Sequence, residues 1–138
     1  MVTLIGGKKG TGKTKKLIAL ANETVAASTG NVVVIEKGAK LTYDITHKAR
    51  LIDSDAYEIN GYEMMIGFLS GICAGNYDLS DILVDSTFKI CPEAIEGLEE
   101  FVVKVNKLAE TSETKFTFLI SAAESDLPEG LKDICHEI

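Results

Sequence analysis

The chain has 138 residues, 46% hydrophobic and 25% charged, with a formal net charge of -7. That length and apolar content predict one folded domain over residues 1–138 rather than a disordered chain. The acidic balance argues against a protein whose main work is nucleic-acid binding, because phosphate-backbone contacts need clustered Lys and Arg.

Val2 to Ile5 is a short apolar run ending in Gly6-Gly7, and it reads as a buried strand entering a tight turn. Lys13 to Ala26 carries Leu17, Ile18, Leu20, Ala21 and Val25 at a helical period, and Ser28-Thr29-Gly30-Asn31 breaks it. The β-branched run Val32-Val33-Val34-Ile35 predicts a strand covered on both faces of a parallel sheet. In residues 39–53, Leu41, Tyr43 and Ile45 alternate with polar residues, which predicts a hairpin-like excursion. Arg50 to Asp53 is its partner or a further core strand.

Gly61 to Ala74 reads as a helix with Met64, Met65, Phe68, Leu69 and Ile72 on one face. Ile82-Leu83-Val84 is a buried strand ending at Asp85. Pro92 is expected in the first turn of the longest helix, which runs on through Glu93 to Leu108. Lys115 to Ser121 is a strand, Pro128 to Ile134 a short helix, and the last residues a final edge strand. Strands alternating with helices predict an α/β three-layer sandwich around a mostly parallel sheet of about five strands.

The densest basic cluster, Lys8, Lys9, Lys13, Lys15 and Lys16, coincides with a motif. Gly7-Lys8-Lys9-Gly10-Thr11-Gly12-Lys13-Thr14 matches G-x-x-x-x-G-K-[ST] between a strand and a helix. The glycines let the backbone curl so that successive N–H groups form an anion nest. The new helix aims its positive end at the same place. Lys13 adds a mobile charge for the β- and γ-phosphates, and Thr14 offers a hydroxyl to Mg²⁺.

With these residues in place, 1–121 resemble a minimal P-loop NTPase core. The resemblance implies a nucleotide ligand, ATP with Mg²⁺. It also implies a strand ending in aspartate, which Asp81-Ile82-Leu83-Val84-Asp85-Ser86 supplies. Asp85 at that position would hold the metal through water. The chain also resembles short clostridial-type proteins labelled as twitching-motility ATPases. The retraction ATPases behind that label are far longer, and their histidine and aspartate boxes have no counterpart here.

Asn106-Lys107-Leu108-Ala109 lacks the aspartate of N-K-x-D, and Asp85-Ser86-Thr87-Phe88 lacks the glycine of D-x-x-G, so a GTP switch is not expected. With Arg50 the one arginine, a kinase lid closing over the transferred phosphoryl group would be thinly charged. An extra strand between the P-loop helix and Asp85 is similar to the additional-strand, RecA-like division. Ser86 stands where many of its members carry a catalytic glutamate. In the RecA-like branch that glutamate follows the next strand, which puts Glu36 in the role, with a solvated strand-end carboxylate as the alternative. Ser121 stands where such folds keep a polar sensor of the γ-phosphate, with a plain strand-end hydroxyl as the alternative. Lys8 matches the offset of a cross-subunit lysine in partitioning ATPases, but Lys9 replaces that family's glycine, and a plain loop lysine is the simpler reading.

Cys73, Cys91 and Cys135 form no C-x-x-C pair and read as reduced thiols serving as small core hydrophobes. His47 and His136 lack metal-type partners. Any of Tyr43, Tyr57, Tyr62 and Tyr77 is a candidate to stack on a base. Lys8 interrupts the N-terminal apolar stretch before signal-peptide length and no apolar run reaches membrane-spanning length, so the cytoplasm is expected. The expected function is a Mg-ATP-binding protein with weak intrinsic ATPase activity, a nucleotide-controlled switch or subunit with an unidentified protein partner. A small nucleoside or metabolite kinase, and a nucleotide-binding module without turnover, remain open.

Overall fold

The apolar run after Met1 forms β1 (Val2–Gly6), the first strand of a computed structural model that describes residues 1–8, 10–40 and 44–138. The chain continues through α1 (Lys13–Ala27), β2 (Asn31–Glu36), β3 (Arg50–Asp53), α2 (Tyr62–Ala74) and β4 (Leu79–Val84). It ends with α3 (Thr87–Ile90), α4 (Ile95–Ser112), β5 (Lys115–Ile120), α5 (Glu129–Lys132) and β6 (Cys135–Glu137). The strands form one sheet in the order β3-β2-β4-β5-β1-β6, and every neighbouring pair is parallel. All carboxyl ends therefore lie along one edge of the molecule.

Alternation along the strands sorts their side chains onto two faces. Leu4, Val33, Ile35, Ile82, Val84, Phe116 and Phe118 join Met65 and Leu69 of α2 and Leu98, Phe101 and Val105 of α4. Ile5, Val32, Val34, Leu83 and Leu119 join Leu17 and Ala21 of α1 on the other face. This is the expected three-layer α/β arrangement, with six strands where about five were expected. Both faces are covered, which explains why β2 reads as a continuous apolar run rather than an alternating one. Among the described residues no helix is long and apolar enough to cross a membrane.

Four local expectations need correction. Arg50 to Asp53 is a further strand of the sheet and not the partner in a hairpin, because β3 pairs with β2 in parallel, from Val33 opposite Arg50 to Glu36 opposite Asp53. The connecting segment instead tucks Ile45 and Ala49 under α1, where both are buried. Leu41 and Tyr43, which suggested the alternation, lie outside the described residues. Pro92 is not in a helix's first turn; it occupies a separate turn, and α4 starts at Ile95 after Ala94 adopts φ 53° and ψ −131°. Met64 is 47% exposed, so the buried face of α2 is carried by Tyr62, Met65 and Leu69. The helix expected over 128–134 is limited to Glu129–Lys132, with Pro128 preceding it.

Candidate functional site

At the carboxyl end of β1 the chain must turn sharply and immediately start α1. Gly10 (φ 89°) and Gly12 (φ 86°) make this turn in the left-handed region, where a side chain would strain the backbone. Gly7 is needed for space, since a Cβ there would lie 2.5 Å from Thr11 Oγ1. The Thr11 hydroxyl donates to the Lys8 carbonyl at 2.6 Å, closing the loop on itself. Lys9 lies outside the described residues.

The first hydrogen bond of α1 runs from the Lys16 N–H to the Gly12 carbonyl at 3.0 Å. Among the described residues no side chain caps this helix, and its first turn carries no acidic residue. Lys13, Lys15 and Lys16 cluster instead at the positive end of the helix dipole, an arrangement unfavourable by itself and favourable beside an anion. The Lys13 ammonium folds back over the loop, donating to the carbonyls of Gly7 at 2.6 Å and Lys8 at 3.1 Å. Its charge is thereby held above the glycine turn.

The loop faces the ends of β4 and β5 across a cavity of about 430 Å³. Gly10, Gly12, Lys13 and Thr14 form one wall, and Asp85, Ser86 and Ser121 form the other, with Lys89 at its border. The Asp85 N–H donates to the Ile35 carbonyl at 2.8 Å, which extends the sheet by one residue and fixes where the carboxylate emerges. Ser86 then adopts φ 52° and ψ 42°, a left-handed conformation rare for a residue with a side chain. That kink stops β4 and starts α3, while the Ser86 hydroxyl faces Asp85 Oδ2 at 3.4 Å. A strained backbone at the rim of a polar cavity is a common companion of function.

A second cavity of about 440 Å³ shares Thr14, Asp85, Ser86 and Lys89 with the first and extends to Glu36 at the end of β2. Glu36 is only 3% exposed, so the solvated strand-end alternative does not hold. Lys37 and Lys40 line the outer part of this cavity, and the Lys37 ammonium is paired with Asp55 at 2.6 Å.

Thus the structure brings together Gly10, Gly12, Lys13, Thr14, Asp85 and Ser121, with Glu36 next door. Lys8 and Thr11 are exposed on the loop's outer side and do not line either cavity. Among the described residues no three His, Cys, Asp or Glu side chains cluster to hold a metal. A magnesium ion bound with phosphates does not require such a cluster. The Thr14 hydroxyl and the Asp85 carboxylate are hard oxygen donors of the kind such an ion prefers, and they border one cavity.

None of the described tyrosines lines this cavity. The Tyr62 hydroxyl donates to the Ala94 carbonyl at 2.6 Å in the core, and Tyr57 and Tyr77 are exposed elsewhere. Tyr43 lies outside the described residues. Arg50 opens β3 at the end away from Glu36 and Asp53. Cys91 and Cys135 are buried, and burial, followed by the Glu93 carboxylate, pushes the Cys91 thiol up to about 12. At neutral pH it stays protonated and is a packing group rather than a nucleophile.

Lys89 went unnoticed in the sequence because its place depends on the Ser86 kink. A third cavity of about 400 Å³, between α1 and β6, is lined by Thr3, Ile5, Lys16, Leu20 and His136 among others, and it has no glycine turn.

No protein-family model and no curated protein matches the chain.

Proposed function

We propose that the chain binds Mg-ATP at residues 7–14 and hydrolyses it slowly, acting as a nucleotide-controlled switch or subunit. The observation that carries this reading is one cavity at the carboxyl edge of a parallel sheet. It is walled by a glycine turn, an uncapped helix start and Lys13 on one side and by Asp85 on the other. Ligands of open α/β sheets bind in this position. Of the motif residues 7–14, Gly10, Gly12, Lys13 and Thr14 line the cavity and would cradle the phosphates. Lys13 would meet the β- and γ-phosphates, and Thr14 with water-mediated Asp85 would hold the magnesium. The ion would neutralise phosphate charge as it develops.

Weak turnover follows from what the site lacks and keeps. Ser86 is too short to position water as a glutamate would, and Arg50 opens β3 at the far end from the cavities. Glu36 and Asp55 border the same space as Thr14 and Asp85; Asp55 is held by Lys37, and the buried Glu36 is the candidate to orient water. A protein partner supplying a cation would complete the site, since an arginine finger contributes roughly 10³–10⁵ in rate. The cytoplasm suits the reading, because thiols such as Cys91 stay reduced there.

Calorimetric titration tests the proposal. Lys13→Ala should weaken Mg-ATP binding by about tenfold or more, because a charge-assisted phosphate contact contributes about 1.5–3 kcal/mol. The fold should be unaffected, since Lys13 packs no core. Equal affinities for the wild type and the variant would refute a phosphate site at this loop.

A further inference from the structure

We infer that Lys89 binds the terminal phosphate of the nucleotide and makes the site select triphosphates over diphosphates. The inference rests on the Mg-ATP reading above and extends it to a residue outside the motif.

Lys13 and Lys89 are the two cationic side chains lining the P-loop cavity among the described residues. Lys89 also borders the neighbouring cavity with Glu36, and it is the cation common to both. It has no ion pair among the described residues, whereas Lys37 nearby is already held by Asp55. Position along the phosphate chain follows from the same shared walls. A magnesium ion held by Thr14 and Asp85 would neutralise charge on the phosphates. With Lys13 lining only the first cavity, the terminal phosphate would lie towards the second, and Lys89 borders both.

The local fold holds Lys89 in this place. The Ser86 carbonyl accepts from the Lys89 N–H at 2.9 Å and from the Ile90 N–H at 3.2 Å, so the kink after Asp85 directly sets the start of α3. Thr87, Ile90 and Cys91 are almost wholly buried and pin both ends of the short helix. Lys89 is its exposed position. Its backbone is fixed while its long side chain remains free to reach the cavity, as a point-charge phosphate ligand requires. This geometry also accounts for the tolerance of a chain with a single arginine: part of the missing positive charge is provided by lysine within the same subunit.

The test is calorimetric titration of Mg-ATP and Mg-ADP into the wild type, Lys89→Ala, Lys89→Arg and Lys13→Ala. Lys89→Ala should weaken Mg-ATP binding by about tenfold and leave Mg-ADP within about twofold. Lys89→Arg should recover most of the loss, and Lys13→Ala should weaken both nucleotides. A loss shared equally by ATP and ADP, or no loss at all, overturns the assignment of Lys89. If Lys13→Ala still behaves as expected in that case, the P-loop reading survives alone. If the wild type binds neither nucleotide, both fall. Because Lys89 is exposed, matching thermal unfolding curves for wild type and variants are expected. An alanine variant that melts early is replaced as the probe by Lys89→Gln, under the same criteria.

Discussion

Glu36 is the residue on which the catalytic part of the account depends. Its position at the end of a continuous apolar strand suggested a role, but the sequence gives no sign of burial there. Burial follows from β2 lying inside the sheet, with β3 on one side and β4 on the other. At 3% exposure Glu36 borders the same cavity as Thr14 and Asp85, and that placement makes it the candidate for the chemistry. Glu36→Gln keeps the shape and removes the base. Single-turnover assays should show hydrolysis reduced by roughly 10²–10⁴-fold with Mg-ATP affinity nearly unchanged. A rate equal to wild type would remove Glu36 from the chemistry. Ser86 is a second instructive residue. Its left-handed backbone would be relaxed in a glycine, and the sequence shows only an ordinary serine after an aspartate.

Among elements, α1 and the turn before it show most clearly how sequence and site are coupled. The same substitution should act with opposite signs in two elements. Gly12→Ala places a side chain at φ 86° and should destabilise the fold by about 1–2 kcal/mol, while also weakening Mg-ATP binding. Gly67→Ala lies on the exposed side of α2, where an added Cβ meets nothing within 4 Å. It should stabilise by about 0.5–1 kcal/mol. Denaturant unfolding of both variants measures this, and a Gly12→Ala protein as stable as wild type would contradict the turn geometry.

The elements also show what was legible. Strand β1, the glycine turn and α1 were readable because motif, apolar period and turn residues all agree over residues 2–26. The packing of Ile45 and Ala49 against α1 was not, because alternation through Ile45 cannot distinguish a strand from a connecting stretch that packs on a helix. In the helix over 61–74 the period was right, but Met64 falls just outside the buried arc. The link from Asp85 through Ser86 to Lys89 was hidden for a different reason. It depends on one unusual φ angle, which no local composition announces.

At the scale of the whole molecule, the placement of the candidate site follows from sheet order. The chain enters at β1, crosses to β2 and β3 at the far edge, and returns through β4 and β5. β5 thereby lies between β1 and β4, so the glycine turn and Asp85 face each other across one strand's width with Ser121 at the end of that strand. Two apolar layers hold the strands in register, with Phe116 and Phe118 among the fully buried side chains beneath the site. The sheet fixes the distance between the two walls.

A crystal structure of the protein with magnesium and a non-hydrolysable ATP analogue tests the central claim most directly. The account predicts phosphates within hydrogen-bonding distance of the backbone of residues 10–14 and the Lys13 ammonium, with the metal between Thr14 and Asp85. Phosphates bound instead in the cavity between α1 and β6 near Lys16 and His136, or no nucleotide bound at saturating concentration, would contradict it.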